Sequence, residues 1–315
     1  MKGGLQIGYI TYVDMGNLNS SFSGTNVIVI KKIKTPIGDE YPYVSGQMLR
    51  HIYREKLQEM GWKLSQIQPT GETEGNPEEY IDDDIFGFMA TERKERGRKG
   101  KAVTRTSPIK VSAMVGLYPL LGNKDLLVRY TIERETGKKI GEPTPVEQEF
   151  TGMNYFKGVI LIDLDAIGKG EGLRKEIKKN KGKIETIFEA TKFDIPEKER
   201  KQRVNAFIDA FRLKFGGAKQ ARMLCDITPK FVVGIKQKYK VPMLLDALKV
   251  DAEGKISLEP LTAVLDQYED IDEKVVVGIR TGIFKNEDDV KRLFRQRGME
   301  MLDSNGALIK MKEWV

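Results

Sequence analysis

Cysteine and histidine are almost missing from this chain: Cys225 and His51 are the only examples among 315 residues. One thiol allows no internal disulfide and no multi-cysteine zinc site, and one imidazole excludes any centre that needs two. No apolar run is long enough to cross a bilayer, and the start lacks a basic-then-apolar signal pattern, so a cytoplasmic protein with no membrane attachment is expected. Gly168, Gly170 and Gly172 lack the lysine and hydroxyl spacing of a phosphate loop, and neither a nucleophile elbow nor a kinase signature occurs. No catalytic pair stands out, so neither catalysis nor a cofactor or metal is expected. What is present suits a globular chain with a sizeable core: 40% hydrophobic and 31% charged residues. Lys and Arg total 53 against 46 Asp and Glu, a net charge of +7 and a weak pointer to a polyanionic partner.

Strand-like alternation opens the chain at Leu5, Ile7 and Tyr9, then Tyr12 and Val13. A polar loop is expected at 16–21, a second strand at Val27 to Ile33, and a basic turn with Lys31, Lys32, Lys34 and Pro36. Ser45 is a good N-cap for a helix whose apolar face carries Leu49, Ile52, Tyr53, Leu57 and Met60. Residues 68–107 read as an insertion that passes from acidic to very basic, and 122–150 as a hairpin whose return arm is irregular at Pro143 and Pro145. Phe156 to Leu164 reads as a buried strand, and Arg174 to Lys183 as a basic connector. A helix follows Pro196, with Val204, Phe207, Ile208, Phe211 and Phe215 inward and Gly216-Gly217 as its stop. Strands near 231–235 and 275–279 and short helices near 261–268 and 287–294 complete the pattern. The order predicts an α+β fold with a ferredoxin-like core, one domain over 1–315 with protruding insertions.

The start of the first helix carries the chemistry of most interest. Free N–H groups and partial positive charge gather there, Gly46 allows close backbone approach, and Gln47, Arg50 and Arg54 form a polar stripe that suits phosphates. An ordinary capped surface helix would look similar. The run from Arg93 to Arg105 suits a nucleic-acid backbone or a solvated loop equally. Phe86, Phe88 and Met89 suit a wedge between bases, or an anchor for the insertion, the anchor being favoured for Phe86 over Met89. His51, beside arginines and with no visible carboxylate partner, is unsuited to catalysis. Glu78, Glu79, Asp82, Asp83 and Asp84 suit a solvated, helix-capping loop better than a cation site, and Asp163 and Asp165 suit a turn cap.

These segments together resemble the CRISPR-associated DevR family, the seventh-family backbone subunit of type I Cascade, of the I-B branch. The resemblance rests on Tyr43 through His51, Asp84 through Met89, Arg105 through Ser112 and Gly216 through Arg222, in the family's order. It implies an RRM-like palm with a finger at 68–107 and a thumb at 122–150. It also implies copies polymerised head to tail along the crRNA spacer, which is displayed for pairing with target DNA. The implied partners are crRNA, target DNA, further copies of the chain, a fifth-family cap subunit, a large subunit and a repeat endonuclease. The resemblance places Ser45, Gln47, Arg50 and Arg54 in a phosphate grip and Met89 as the base-stacking wedge. Asn17, Asn19, Lys32 and Lys34 become further backbone contacts, and the finger becomes a contact for target DNA; Gly46, His51, Phe88, Arg105 and Lys110 complete the RNA-binding set it implies. His51 stands where some relatives carry a second basic residue. The alternative is a type III-like backbone subunit that cuts RNA with metal at Asp14.

Overall fold

Alternation at the start becomes one long strand, β1 (Gly4–Gly16), in a computed structural model that describes residues 1–22, 27–94, 99–133, 135–180, 183–214, 216–218 and 220–315. After it come β2 (Ser20–Phe22), β3 (Val27–Ile30), β4 (Lys32–Lys34), β5 (Glu40–Val44), α1 (Gly46–Glu59) and α2 (Ile81–Phe86). The middle of the chain is β6 (Phe88–Arg93), β7 (Lys99–Arg105), β8 (Ile109–Val111), β9 (Met114–Gly116), β10 (Asn123–Ile132), β11 (Lys139–Asp163), β12 (Lys169–Asn180) and β13 (Lys183–Asp194). The remainder is α3 (Glu197–Arg212), β14 (Phe231–Gln237), α4 (Leu258–Gln267), β15 (Asp272–Ile279), α5 (Glu287–Gln296), β16 (Glu300–Leu302) and α6 (Ser304–Lys312). No helix among the described residues is long and apolar enough to cross a membrane.

The centre of the larger sheet runs β14-β1-β11-β9 with every neighbour antiparallel, and β8 also pairs with β11. α1 lies in the connection from β1 to β8, and α3 in the connection from β11 to β14. Both faces of this sheet are covered. Leu5, Ile7 and Tyr9 of β1 pack with Leu49, Ile52, Tyr53 and Leu57 of α1, with Phe207 and Phe211 of α3, and with Leu308 and Met311 of α6. Ile10, Phe231, Val233 and Val277 meet Leu244, Leu261 of α4, and Val290 and Phe294 of α5. Spacings of three and four put the apolar residues of α1 on one stripe, and each such side chain contributes about 1.5–3 kcal/mol on burial. Met60, expected on that stripe, is the exposed C-terminal cap of α1.

Several expectations need correction. Most of the expected basic connector at 174–183 is strand: β12 runs through it to Asn180, β13 starts at Lys183, and the two pair from Lys169↔Asp194 to Asn180↔Lys183 and join β6 and β7 in a second sheet ordered β12-β13-β6-β7. Part of the expected loop at 16–21 is strand, since β1 reaches Gly16 and β2 starts at Ser20. β11 is a single 25-residue strand, and the irregularity expected at Pro143 and Pro145 shrinks to a register shift opposite Arg129 and Thr131. The acidic cluster is solvated only in part: Glu78 and Glu79 are exposed in the turn before α2, whereas Asp82, Asp83 and Asp84 are fully buried within it. Arg96, Arg98, Phe215 and Lys219 lie outside the described residues.

Candidate nucleic-acid interface

The first helix begins where two independent strands converge. β5 delivers Ser45, whose hydroxyl accepts from the Met48 N–H at 3.3 Å and caps the helix. Gly46 follows, and a Cβ there would lie 2.7 Å from the Val111 carbonyl oxygen, so only glycine lets β8 pass this close. Lys110, the residue before Val111 on β8, is exposed. The Asn19 amide donates to Ser45 Oγ at 3.4 Å and ties the end of β1 to the same point. Exposed Lys34 lies on the β4–β5 hairpin, paired with Glu40. Lys32 is held by Glu40 at 3.0 Å and Glu149 at 3.1 Å.

The first turn of α1 contains no acidic residue, whereas those of α2, α3, α4 and α5 all do. The positive end of its dipole is therefore left uncompensated by its own sequence. Arg50, one turn on, is half-buried, and its buried Nε has no hydrogen-bond partner among the described residues. Burial holds its pKa below the ordinary value, and the neighbouring Arg54 adds repulsion in the same direction. An anion at this point would relieve both penalties. Gln47 is exposed on the same side of the helix start.

Other expected site residues are committed elsewhere. Asn17 is fully buried; its Nδ2 donates to the Glu149 carbonyl at 2.8 Å and its Oδ1 accepts from Ser20. Arg54 pairs with buried Asp82 at 3.2 Å and lies 5.4 Å from the centre of the Phe86 ring. His51 does have a carboxylate partner, contrary to expectation: its Nε2 is 3.3 Å from Glu55 Oε1, an exposed pair one turn along the helix.

The second sheet holds Phe88, Met89 and Arg105. Met89 is 55% exposed, as a wedge requires, but Phe88 is buried with Ala90, Val103 and Leu173 and belongs to that sheet's core. Arg105 is removed from the expected RNA contacts. Its side chain is only 7% exposed, pairs with Asp84 at 2.6 Å, and donates to the carbonyls of Asp84, Ala166 and Lys169. Asp84 also holds Arg203 at 3.0 Å and accepts from the Gly168 N–H. This buried carboxylate joins α2, β7, α3 and the turn before β12. Asp163 accepts from the N–H groups of Asp165 and Ala166, the turn cap expected of it.

Asp14 is exposed and lines an open cleft of about 510 Å³ with Tyr12, Met15, Leu224, Asp226 and Lys230. Burial pushes the Asp226 carboxyl up, but the Lys230 ammonium and the Thr228 donors outweigh it and hold it at about 2.

A family model described as CRISPR-associated negative auto-regulator DevR/Csa2 matches residues 63–251. A chain of a CRISPR RNA-guided surveillance complex aligns over 98% of this chain and 98% of its own, with 13% identity and a TM-score of 0.53. A chain of such a complex in a pre-nicking state aligns over 98% of this chain and 99% of its own, with 13% identity and a TM-score of 0.58. At such identity the likeness is one of fold. No curated protein matches.

Proposed function

This chain belongs to the CRISPR-associated DevR/Csa2 family, and from that premise we propose that it is a non-catalytic backbone subunit of a Cascade-type complex, coating the spacer of a crRNA. The strand order β14-β1-β11-β9, with α1 and α3 in the connections, supports reading the core as a ferredoxin-like palm. One face of an RRM sheet is ordinarily free for RNA. Here α4, α5 and the segment between β14 and α4 cover that face, so the polynucleotide runs past the start of α1 instead. The single observation that carries the reading is the uncompensated helix start with Arg50 one turn behind it. Gln47, Arg50 and Lys110 grip ribose-phosphate there, which fixes register and leaves base edges free for target DNA.

In this reading β10–β11 is the thumb, and the second sheet is the finger, built from 68–107 together with the 169–194 hairpin. Met89 is the stacking wedge. Copies assemble head to tail, and the cap, large and endonuclease subunits complete the complex in the cytoplasm. Asp14 plays no catalytic part: among the described residues lining its cleft the one other carboxylate, Asp226, is pinned by Lys230. Metal-dependent cuts in complementary RNA that vanish in Asp14→Ala would defeat that statement.

The test is RNA affinity against salt for Arg50→Ala. Binding should weaken by a similar factor for every spacer sequence, and the slope of log K against log salt should fall by about 0.7, one single-strand phosphate contact. A loss confined to particular sequences would contradict the reading.

A further inference from the structure

The second sheet frames a cavity of about 220 Å³ that the grip at α1 does not use. Three pieces of chain build it. β6 supplies Thr91 and Arg93, β12 and β13 supply Leu173 and Phe188, and the 66–74 segment before α2 supplies two glutamines, two glutamates and Thr73. Backbone bonds hold that segment in place: the Gln68 N–H donates to the Glu72 carbonyl at 2.8 Å, and the Thr73 N–H to the Met89 carbonyl at 3.3 Å. Thr73 Oγ1 donates to buried Asp83 at 2.7 Å, and Thr91 Oγ1 to Glu72 Oε1 at 2.8 Å. The walls are braced by the fold itself.

Two kinds of surface meet in it. Leu173 is buried and Phe188 half-buried, and the Arg93 guanidinium lies 5.4 Å from the centre of the Phe188 ring. An aromatic face beside a planar guanidinium is a platform for a flat ring. The rest of the lining is polar and rich in acceptors. Glu72 and Glu74 accept only when ionised, and the Thr91 hydroxyl takes just one of the lone pairs of Glu72. Gln66 and Gln68 add amides with no hydrogen-bond partner among the described residues. Size and charge then choose the ligand. Drug-sized ligands need about 300–1,000 Å³, so this cavity takes a single ring system. One arginine against two carboxylates keeps a phosphate out of it. Exposed cations stand outside: Lys94 follows Arg93, and Lys175 pairs opposite Phe188. Such a layout suits a nucleotide with its base inside and its phosphate outside. The carboxylates select a base whose edge donates. Guanine presents N1–H and N2–H side by side, with O6 to accept from an amide, whereas uracil and thymine present one N–H between two carbonyls.

We infer that the second sheet carries a guanine pocket: one unpaired guanine base stacks on Phe188 beside Arg93, donates its N1–H and N2–H to Glu72, and accepts at O6 from the Gln68 amide. Lys94 and Lys175 meet its phosphates outside. β6 carries Met89, Thr91 and Arg93 at alternate positions, which share one face of a strand, so exposed Met89 stands on the face that lines the pocket. The grip at α1 is blind to sequence, and this pocket adds one base-reading contact to it. The inference rests on the nucleic-acid reading above.

The experiment titrates the full chain with short fluorescent probes at fixed salt: oligouridine, the same RNA with one central guanine, and the two thymidine-based DNA counterparts. The parent should bind a guanine probe about fivefold to hundredfold tighter than its plain counterpart. A preference in RNA assigns the pocket to the guide and one in DNA to the target; either supports it. Glu72→Gln keeps an acceptor for Thr91 and should abolish the preference without lowering the melting temperature. Inosine in place of the guanine removes N2–H without touching the protein and should lose most of the preference. Arg50→Ala should weaken every probe alike and keep the ratio. Equal binding of guanine and plain probes by the parent, or a preference that survives both Glu72→Gln and inosine, overturns this inference; with Arg50→Ala still weak, the RNA reading stands. If the parent binds no probe, the RNA reading fails and this inference with it.

Discussion

Replacing Asp84 by alanine tests whether the second sheet is fixed to the palm by a buried electrostatic junction. Asp84 is fully buried and faces two guanidiniums, Arg105 and Arg203, whose side chains are 7% and 2% exposed. Both Asp84 oxygens also accept from the Gly168 N–H, at 2.9 and 3.0 Å. Without the carboxylate, two buried cations repel one another and one backbone donor loses its acceptor. Removing one partner of a buried ion pair costs about 3–5 kcal/mol. At about 2–4 °C per kcal/mol for a chain above about 150 residues, the melting temperature should fall on the order of 10 °C. Differential scanning fluorimetry measures it directly. Arg203→Met should cost less, because Asp84 keeps Arg105 and the methionine fills the space. Arg174→Ala, which breaks an exposed pair with Glu78, should leave the melting temperature in place. A fall for Asp84→Ala no larger than that control would refute the reasoning.

The remaining predictions concern pH and the wedge. Burial raises the Asp83 carboxyl from 3.8 to about 6, against the opposing pull of Thr73 and Asn76 as donors. The folded state then holds its proton more tightly than the unfolded state, so stability falls as pH rises through the window from about 4 to about 6. Asp83→Asn should flatten urea stability across that window by roughly 1–3 kcal/mol; an unchanged pH profile would show that the carboxyl titrates normally. Met89→Ala should leave the unfolding free energy within ~0.5 kcal/mol of the parent, because the side chain is mostly in solvent, yet disturb the regular spacing of the bases it stacks against in the assembled complex. Unchanged spacing in a structure of that assembly would remove Met89 from the wedge.

What the sequence made legible follows the range of the interactions. The start of α1 was readable because a cap, a glycine and a three-four apolar stripe are all local. The burial of Asp82 and Asp84 was not, since the partners that make it tolerable, Arg54 for Asp82 and Arg105 and Arg203 for Asp84, stand 28, 21 and 119 residues away. The same distance hid the true place of Arg105, which in the sequence is one more cation in a basic run. β12 and β13 were missed because Lys and Glu dominate them, Ile177 and Ile184 are exposed, and their few buried apolar residues, Leu173, Ile187 and Phe193, are too widely spaced to show alternation; pairing of Phe188 with Arg93 joins them to β6. His51 and Glu55 were within reach, as a four-residue helical spacing puts them side by side. The last third yielded its strands and helices but not their purpose, since covering the second face of the sheet depends on Phe231, Val233 and Ile10 presenting an apolar surface there.

A cryo-EM map of the chain assembled on a guide RNA tests the central claim most directly. The account predicts a phosphate within about 3 Å of the Gln47 amide or the Arg50 guanidinium at the start of α1. RNA that instead tracks across α4 and α5, with the α1 start facing solvent or protein, would contradict it.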